Sequence, residues 1–151
     1  LSAVTILRIA KRLGRMPFAA ANLVYGIFDM AGTPSVHGWG PRNLVLNTEI
    51  IRWFCAQLVP PEIEAKVPLR SPDLSPLHAD LEGLCPALFT IGTLDPLLDD
   101  TLLMATRWAG AGNETELAIY PGGIHAFNAI PNLPLADEAN GKMASFLAGY
   151  L

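Results

Sequence analysis

Three short apolar runs, Ala21 to Phe28 (ANLVYGIF), Ala87 to Ile91 (ALFTI) and Thr115 to Tyr120 (TELAIY), are separated by segments with helical spacing. Strands joined through helices cannot pair as hairpins, so this alternation demands parallel strands with right-handed crossovers. The first two runs lack polar alternation, which suits strands covered on both faces.

The intervening segments read as helices on their own periodicity. In Leu1 to Leu13 the basic residues Arg8, Lys11, Arg12 and Arg15 take one face and Ala3, Ile6, Leu7 and Ala10 another, with Gly14 as the stop. Asp29 to Leu46 is loop chemistry; Asn47 or Thr48 then caps a helix carrying Ile50, Ile51, Phe54, Cys55 and Leu58 on one face, ended by Pro60-Pro61. Residues 60–86 read as an irregular connection. Further helices are expected from about Pro96 to Ala109 and from about Leu135 to Leu147, with Pro121-Gly122-Gly123 turning the chain between them. No repeat or linker divides the chain, and 151 residues suit a single domain.

Composition narrows the partners. With 51% apolar and 16% charged residues the chain has ample material for a core, and intrinsic disorder is excluded as its general state. A net charge of −4, with basic residues gathered only on the first helix, argues against a nucleic-acid partner. The longest stretch free of Asp, Glu, Lys and Arg, Leu117 to Ala136, is broken by three prolines and two glycines and cannot span a membrane. Cys55 and Cys85 have no metal-ligand spacing and read as reduced, buried small hydrophobes. A cytoplasmic location is expected.

In an open parallel sheet chemistry concentrates at the carboxyl ends of strands. The loop after the second strand contains Gly92-Thr93-Leu94-Asp95-Pro96-Leu97-Leu98-Asp99-Asp100, and the loop after the third contains Pro121-Gly122-Gly123-Ile124-His125-Ala126-Phe127. An Asp and a His on adjacent strand ends can meet. Taken singly, Asp95 also reads as a helix N-cap before Pro96 and His125 as a turn histidine. Asp99 and Asp100 read as complements of a helix dipole, and His37 and His78 as solvated or locally bonded.

The pattern Gly-x-x-Asp-Pro-Leu-x-Asp, followed thirty residues later by Pro-Gly-x-x-His-x-Phe, resembles the hormone-sensitive-lipase-like carboxylesterases of bacterial family IV. Ser71 to Leu81 is similar to the stretch preceding the acid strand of that family, and Leu1-Ser2-Ala3 to the helix after its nucleophile. The resemblance implies an α/β fold: the C-terminal part of an α/β-hydrolase, three parallel strands with flanking helices. It implies Asp95 as triad acid and His125 as triad base, a small acyl-ester substrate, and no cofactor or metal. It also implies that residues 29–60 contribute to a cap, where Trp39 and Trp53 are candidates to floor an acyl pocket.

No G-x-S-x-G occurs: Ser2, Ser35, Ser71, Ser75 and Ser145 all lack flanking glycines, and there is no HGG-type oxyanion run. The resemblance is therefore to a C-terminal half lacking the N-terminal strands and nucleophile elbow. Three expectations follow: the chain supplies only Asp and His and is inactive alone; the 21–28 strand needs an N-terminal half or self-association to cover its edge; and the alternatives are an amidase with the same triad or a non-catalytic module.

Overall fold

A computed structural model describes residues 1–151. Helix α1 (Ser2–Leu13) ends at Gly14, whose φ of 64° is the left-handed C-cap that glycine adopts without a Cβ penalty. Strand β1 (Ala21–Val24) follows, then helices α2 (Pro34–Trp39), α3 (Thr48–Leu58) and α4 (Pro61–Glu64). After a 3₁₀ turn at Pro76–His78 come β2 (Ala87–Leu94), α5 (Leu98–Gly110), β3 (Thr115–Ile124), a second 3₁₀ turn and α6 (Pro134–Ala148). The strands form one parallel sheet in the order β1-β2-β3.

The central strand explains the apolar runs. Ala87, Leu88, Phe89, Thr90 and Ile91 are all buried, since successive residues point to opposite faces and both faces are covered. On one face Phe89 meets Leu23, Phe28, Met104 and Trp108, and the Trp108 indole N–H donates to the Cys85 carbonyl at 3.0 Å. On the other, Leu88 and Tyr120 pack against Ala139, Met143 and Phe146 of α6. A third cluster, Val36, Ile51, Ile91 and Leu97, seats α2 and α3 at the carboxyl end of β2. Asn47 caps α3, its side-chain oxygen accepting from the Ile50 N–H at 2.8 Å.

Three segments differ from the expectation. The first run is strand only to Val24, with Tyr25 at a φ of 34°, because the Phe28 and Asp29 N–H groups leave the ladder and donate to the buried Asp100 carboxylate at 2.7 and 2.9 Å. The segment expected to be loop contains α2, held down where Ser35 N–H donates to Asp99 at 2.8 Å and Thr33 Oγ1 donates to Asp100 at 2.6 Å. Asp99 and Asp100 thus fasten this loop rather than merely complementing a dipole. Pro121-Gly122-Gly123 lies within β3, not beyond it, and Leu117 and Ile119 of this edge strand are exposed.

That extension of β3 has a consequence. The register slips between Gly92 and Leu94, Gly122 takes a φ of 78°, and its N–H donates to Thr93 Oγ1 at 2.9 Å. The bulge ends with Leu94 paired to Ile124, so the next residues, Asp95 and His125, emerge side by side. It is possible only because Gly92 has no side chain: a Cβ there would sit 2.1 Å from the Gly123 carbonyl oxygen and 2.4 Å from its carbon. Since backbone must shift, Gly92→Ala is expected to cost about 1–3 kcal/mol, as overpacking does. Urea unfolding checks this; an unchanged midpoint would contradict the close packing.

Candidate functional site

Asp95 leaves β2 into the turn before α5, and its two oxygens have separate tasks. Oδ1 accepts from the Leu97 N–H at 2.9 Å, while Oδ2 lies 2.9 Å from His125 Nδ1. Asp95 is not the helix N-cap its sequence context suggests, since α5 is capped at Leu97 without a side-chain bond; one Asp95 oxygen instead closes a local turn ahead of the helix while the other meets the histidine. Asp95 is only 1% exposed, whereas the His125 side chain is 17% exposed. An ionised carboxylate can only accept, so Nδ1 carries the proton and Nε2 is left as the free acceptor. Such an imidazole can take up a proton at Nε2 while the carboxylate stabilises the resulting cation.

His125 is followed by Ala126 at a φ of 60° and by the 3₁₀ turn Phe127–Ala129. Phe127 is buried against Tyr120, with ring centroids 5.2 Å apart, which anchors the loop in the sheet. The Tyr25 ring lies across the imidazole with centroids 4.5 Å apart and planes tilted by 60°. Burial pushes the Tyr25 phenol above its ordinary value, and the nearby Asp95 charge pushes it the same way. Sequence periodicity gives no hint of Tyr25, since it reads there as one more apolar strand residue.

The other singled-out residues lie elsewhere. His37 Nε2 is 3.1 Å from the Ala31 carbonyl, a local bond. His78 is not merely solvated: its Nε2 is 3.2 Å from Asp29 Oδ2, which Arg70 Nε also approaches at 3.3 Å, because the buried Asp29 carboxylate needs cationic or donor partners. Trp108 is core. Trp39 donates its indole N–H to the Arg42 carbonyl and lies under the Arg42 guanidinium, and Trp53 is 58% exposed. Neither lines the cavities beside β1 and the loop that follows it. Cys85 is buried and Cys55 half-buried; neither forms a disulfide, and burial raises both thiols above their ordinary value. No cluster of three His, Cys, Asp or Glu side chains is arranged to hold a metal ion.

Two cavities lie beside β1 and the loop that follows it. A groove of about 450 Å³ follows its unpaired edge and is lined by Val4, Asn22, Val24, Ile27, Phe54 and Leu58, among others. A second, of about 240 Å³, lies between the β1–α2 loop and α3, with Met30, Val36, Ile51 and Val59 in its wall. Phe54 and Leu58, expected on the buried face of α3, are 53% and 61% exposed because that face fronts the groove. No helix is long and apolar enough to cross a membrane.

Comparison with known proteins agrees with this architecture. The carboxylesterase NlhH of Mycobacterium tuberculosis is 33% identical over 99 residues, which cover 65% of this chain and 31% of that protein. An esterase of Pyrobaculum calidifontis superposes with a TM-score of 0.82 at 28% identity, over 95% of this chain and 46% of that one. A hormone-sensitive lipase from a metagenome library shares the fold, with a TM-score of 0.86 at 21% identity over 99% of this chain and 50% of that one. The chain thus spans half or less of the length of these relatives. The model of a family described by the alpha/beta hydrolase fold matches residues 1–129. With a parallel sheet, crossover helices and a match over most of its length, this chain belongs to the α/β-hydrolase fold family.

Proposed function

We propose that this chain supplies the acid and the base of a carboxylic ester hydrolase that works through a serine nucleophile and an acyl-enzyme. The observation that carries the reading is the His125–Asp95 contact of 2.9 Å at adjacent strand ends, with the second Asp95 oxygen held by Leu97 N–H. The carboxylesterase and esterase relatives support it. In this scheme His125 Nε2 takes the serine hydroxyl proton as the oxygen attacks the ester carbonyl, and returns it to the leaving alkoxide. Water then repeats the cycle on the acyl-serine, releasing the acid. Asp95 holds the imidazole with Nδ1 protonated and balances the imidazolium charge.

The nucleophile and oxyanion donors come, in this proposal, from a strand-bearing segment outside these 151 residues that pairs along the free edge of β1 and fills the groove beside it. The edge offers no charged residue or proline in Ala21–Val24 to block such pairing. The extent of the relatives, twice that of this chain or more, supports that occupant over a second copy. Residues 29–60, with α2 and α3, would contribute to a cap over the site, and the whole chain would form one portion of a single hydrolase domain.

The test combines activity and assembly. The 151-residue chain alone is expected to show no turnover of a short p-nitrophenyl ester and no labelling by an organophosphonate. Stoichiometric labelling of one serine, with matching loss of activity, would overturn this division of labour. In sedimentation the chain alone is expected to self-associate through the uncovered edge and to lose that association when a nucleophile-bearing segment is supplied. A folded monomer whose urea midpoint ignores protein concentration would remove the edge from the proposal.

A further inference from the structure

Tyr25 occupies an unusual place. A φ of 34° is costly for an aromatic residue, and such strain persists only where surrounding contacts over-determine it. Here they do so on three sides. The Tyr25 N–H makes a ladder bond to the Thr90 carbonyl at 2.8 Å, which fixes the backbone to β2. The phenol O–H donates to Asn128 Oδ1 at 2.7 Å. The ring, held at both ends, lies against the imidazole of His125.

Asn128 is itself tied down. Its side-chain amide donates to Asn140 Oδ1 at 3.1 Å, and the Asn140 amide donates to the Asn128 carbonyl at 2.9 Å. A continuous chain of contacts therefore runs from α6 through the turn after His125 to the phenol and back to the imidazole. The Asp95 bond alone fixes one atom of the imidazole and leaves the ring free to rock about the Nδ1–Oδ2 line. A ring packed across the imidazole at a 60° tilt opposes that rocking, and with it the population in which Nε2 points away from the space above the strand ends.

We propose that Tyr25 is a positioning residue for His125, its ring serving as the seat that sets the imidazole plane and its phenol, through Asn128, holding that seat in place. The inference rests on the acid–base reading of Asp95 and His125. It assigns Tyr25 no proton transfer; the residue acts through the orientation of His125.

The experiment is nitrogen-15 NMR of the histidine rings in the full chain, which reports tautomer and hydrogen bonding at each nitrogen. In the wild type His125 is expected to show one dominant tautomer, with Nδ1 protonated and its proton protected from exchange. In Tyr25→Leu the two ring-nitrogen shifts are expected to move toward one another and the protected proton to be lost; Tyr25→Phe should lie between. His125 signals in Tyr25→Leu identical to wild type, with the amide spectrum of α5 and α6 intact, would overturn the proposal. Should that variant fail to fold, Tyr25→Phe and Asn128→Ala decide it, and unchanged shifts in both would overturn it. Asp95→Asn serves as the reference: if it leaves His125 unchanged the acid–base reading fails, whereas a change there with none in the Tyr25 variants removes only the role of Tyr25.

Discussion

Asp95→Asn is expected to lower the kcat for a short p-nitrophenyl ester about 10⁴-fold in a hydrolase domain completed with a nucleophile-bearing segment, the loss typical of a triad whose acid becomes an amide. The shape of the side chain is kept, so the effect is one of proton placement. Asn can aim its amide N–H at Nδ1, which places the histidine proton on Nε2, where a serine hydroxyl needs an acceptor. The bond to the Leu97 N–H can survive through the amide oxygen, so the fold should not suffer. His125→Ala should cost a similar factor, and the double variant little more than either alone, because the pair acts as a unit. Steady-state kinetics of the three variants checks this; additive losses, or a variant with near-normal kcat, would sink the assignment.

Asp100→Ala should cost more stability than any of the substitutions at Asp95, His125 or Gly92. Asp100 is fully buried and accepts from Phe28 N–H, Asp29 N–H and Thr33 Oγ1. Removing it strands two buried backbone donors and a hydroxyl, each worth about 1–3 kcal/mol when left unpaired, offset by relief of a buried charge. A net loss of about 3 kcal/mol is expected in urea unfolding, with the β1–α2 loop released from α5. Asp100→Asn keeps an acceptor for the backbone donors and should cost far less.

The same carboxylate gives a pH test. Burial raises the Asp100 pKa above its ordinary 3.8, opposed by the bonds from Thr33, Phe28 and Asp29, with the Asp29 charge raising it further. A raised pKa means that the folded state holds the proton more tightly than the unfolded chain does. The stability linked to that proton is complete below pH 3.8 and declines as pH rises through the higher folded value. Relative to wild type, Asp100→Asn should therefore gain stability over that interval, and a difference that shrinks as pH rises would contradict the assignment.

What could be read from the sequence was whatever depends on neighbours along the chain. The run Ala87 to Ile91 marks a strand covered on both faces, Gly14 marks a helix end, and Asn47 or Thr48 a helix start. The parallel sheet follows from the alternation of strand and helix, because no other connection allows it. Asp95 and His125 could be singled out because each follows an apolar run in a motif of recognisable spacing.

Everything that depends on partners distant in the chain was decided by the tertiary structure. Nothing near Tyr25 in sequence announces that the strand stops there; the stop is set by Asp100, more than seventy residues away, which takes the backbone donors the strand would have used. Pro121-Gly122-Gly123 carries turn chemistry, yet it lies in β3 because Gly92 of the neighbouring strand leaves room for the Gly123 backbone. The pairing of Leu94 with Ile124, and so the contact between Asp95 and His125, is a matter of register. Local propensity is a property of a residue and its neighbours, whereas register and buried hydrogen bonds are settled by which distant groups must be satisfied once water is excluded.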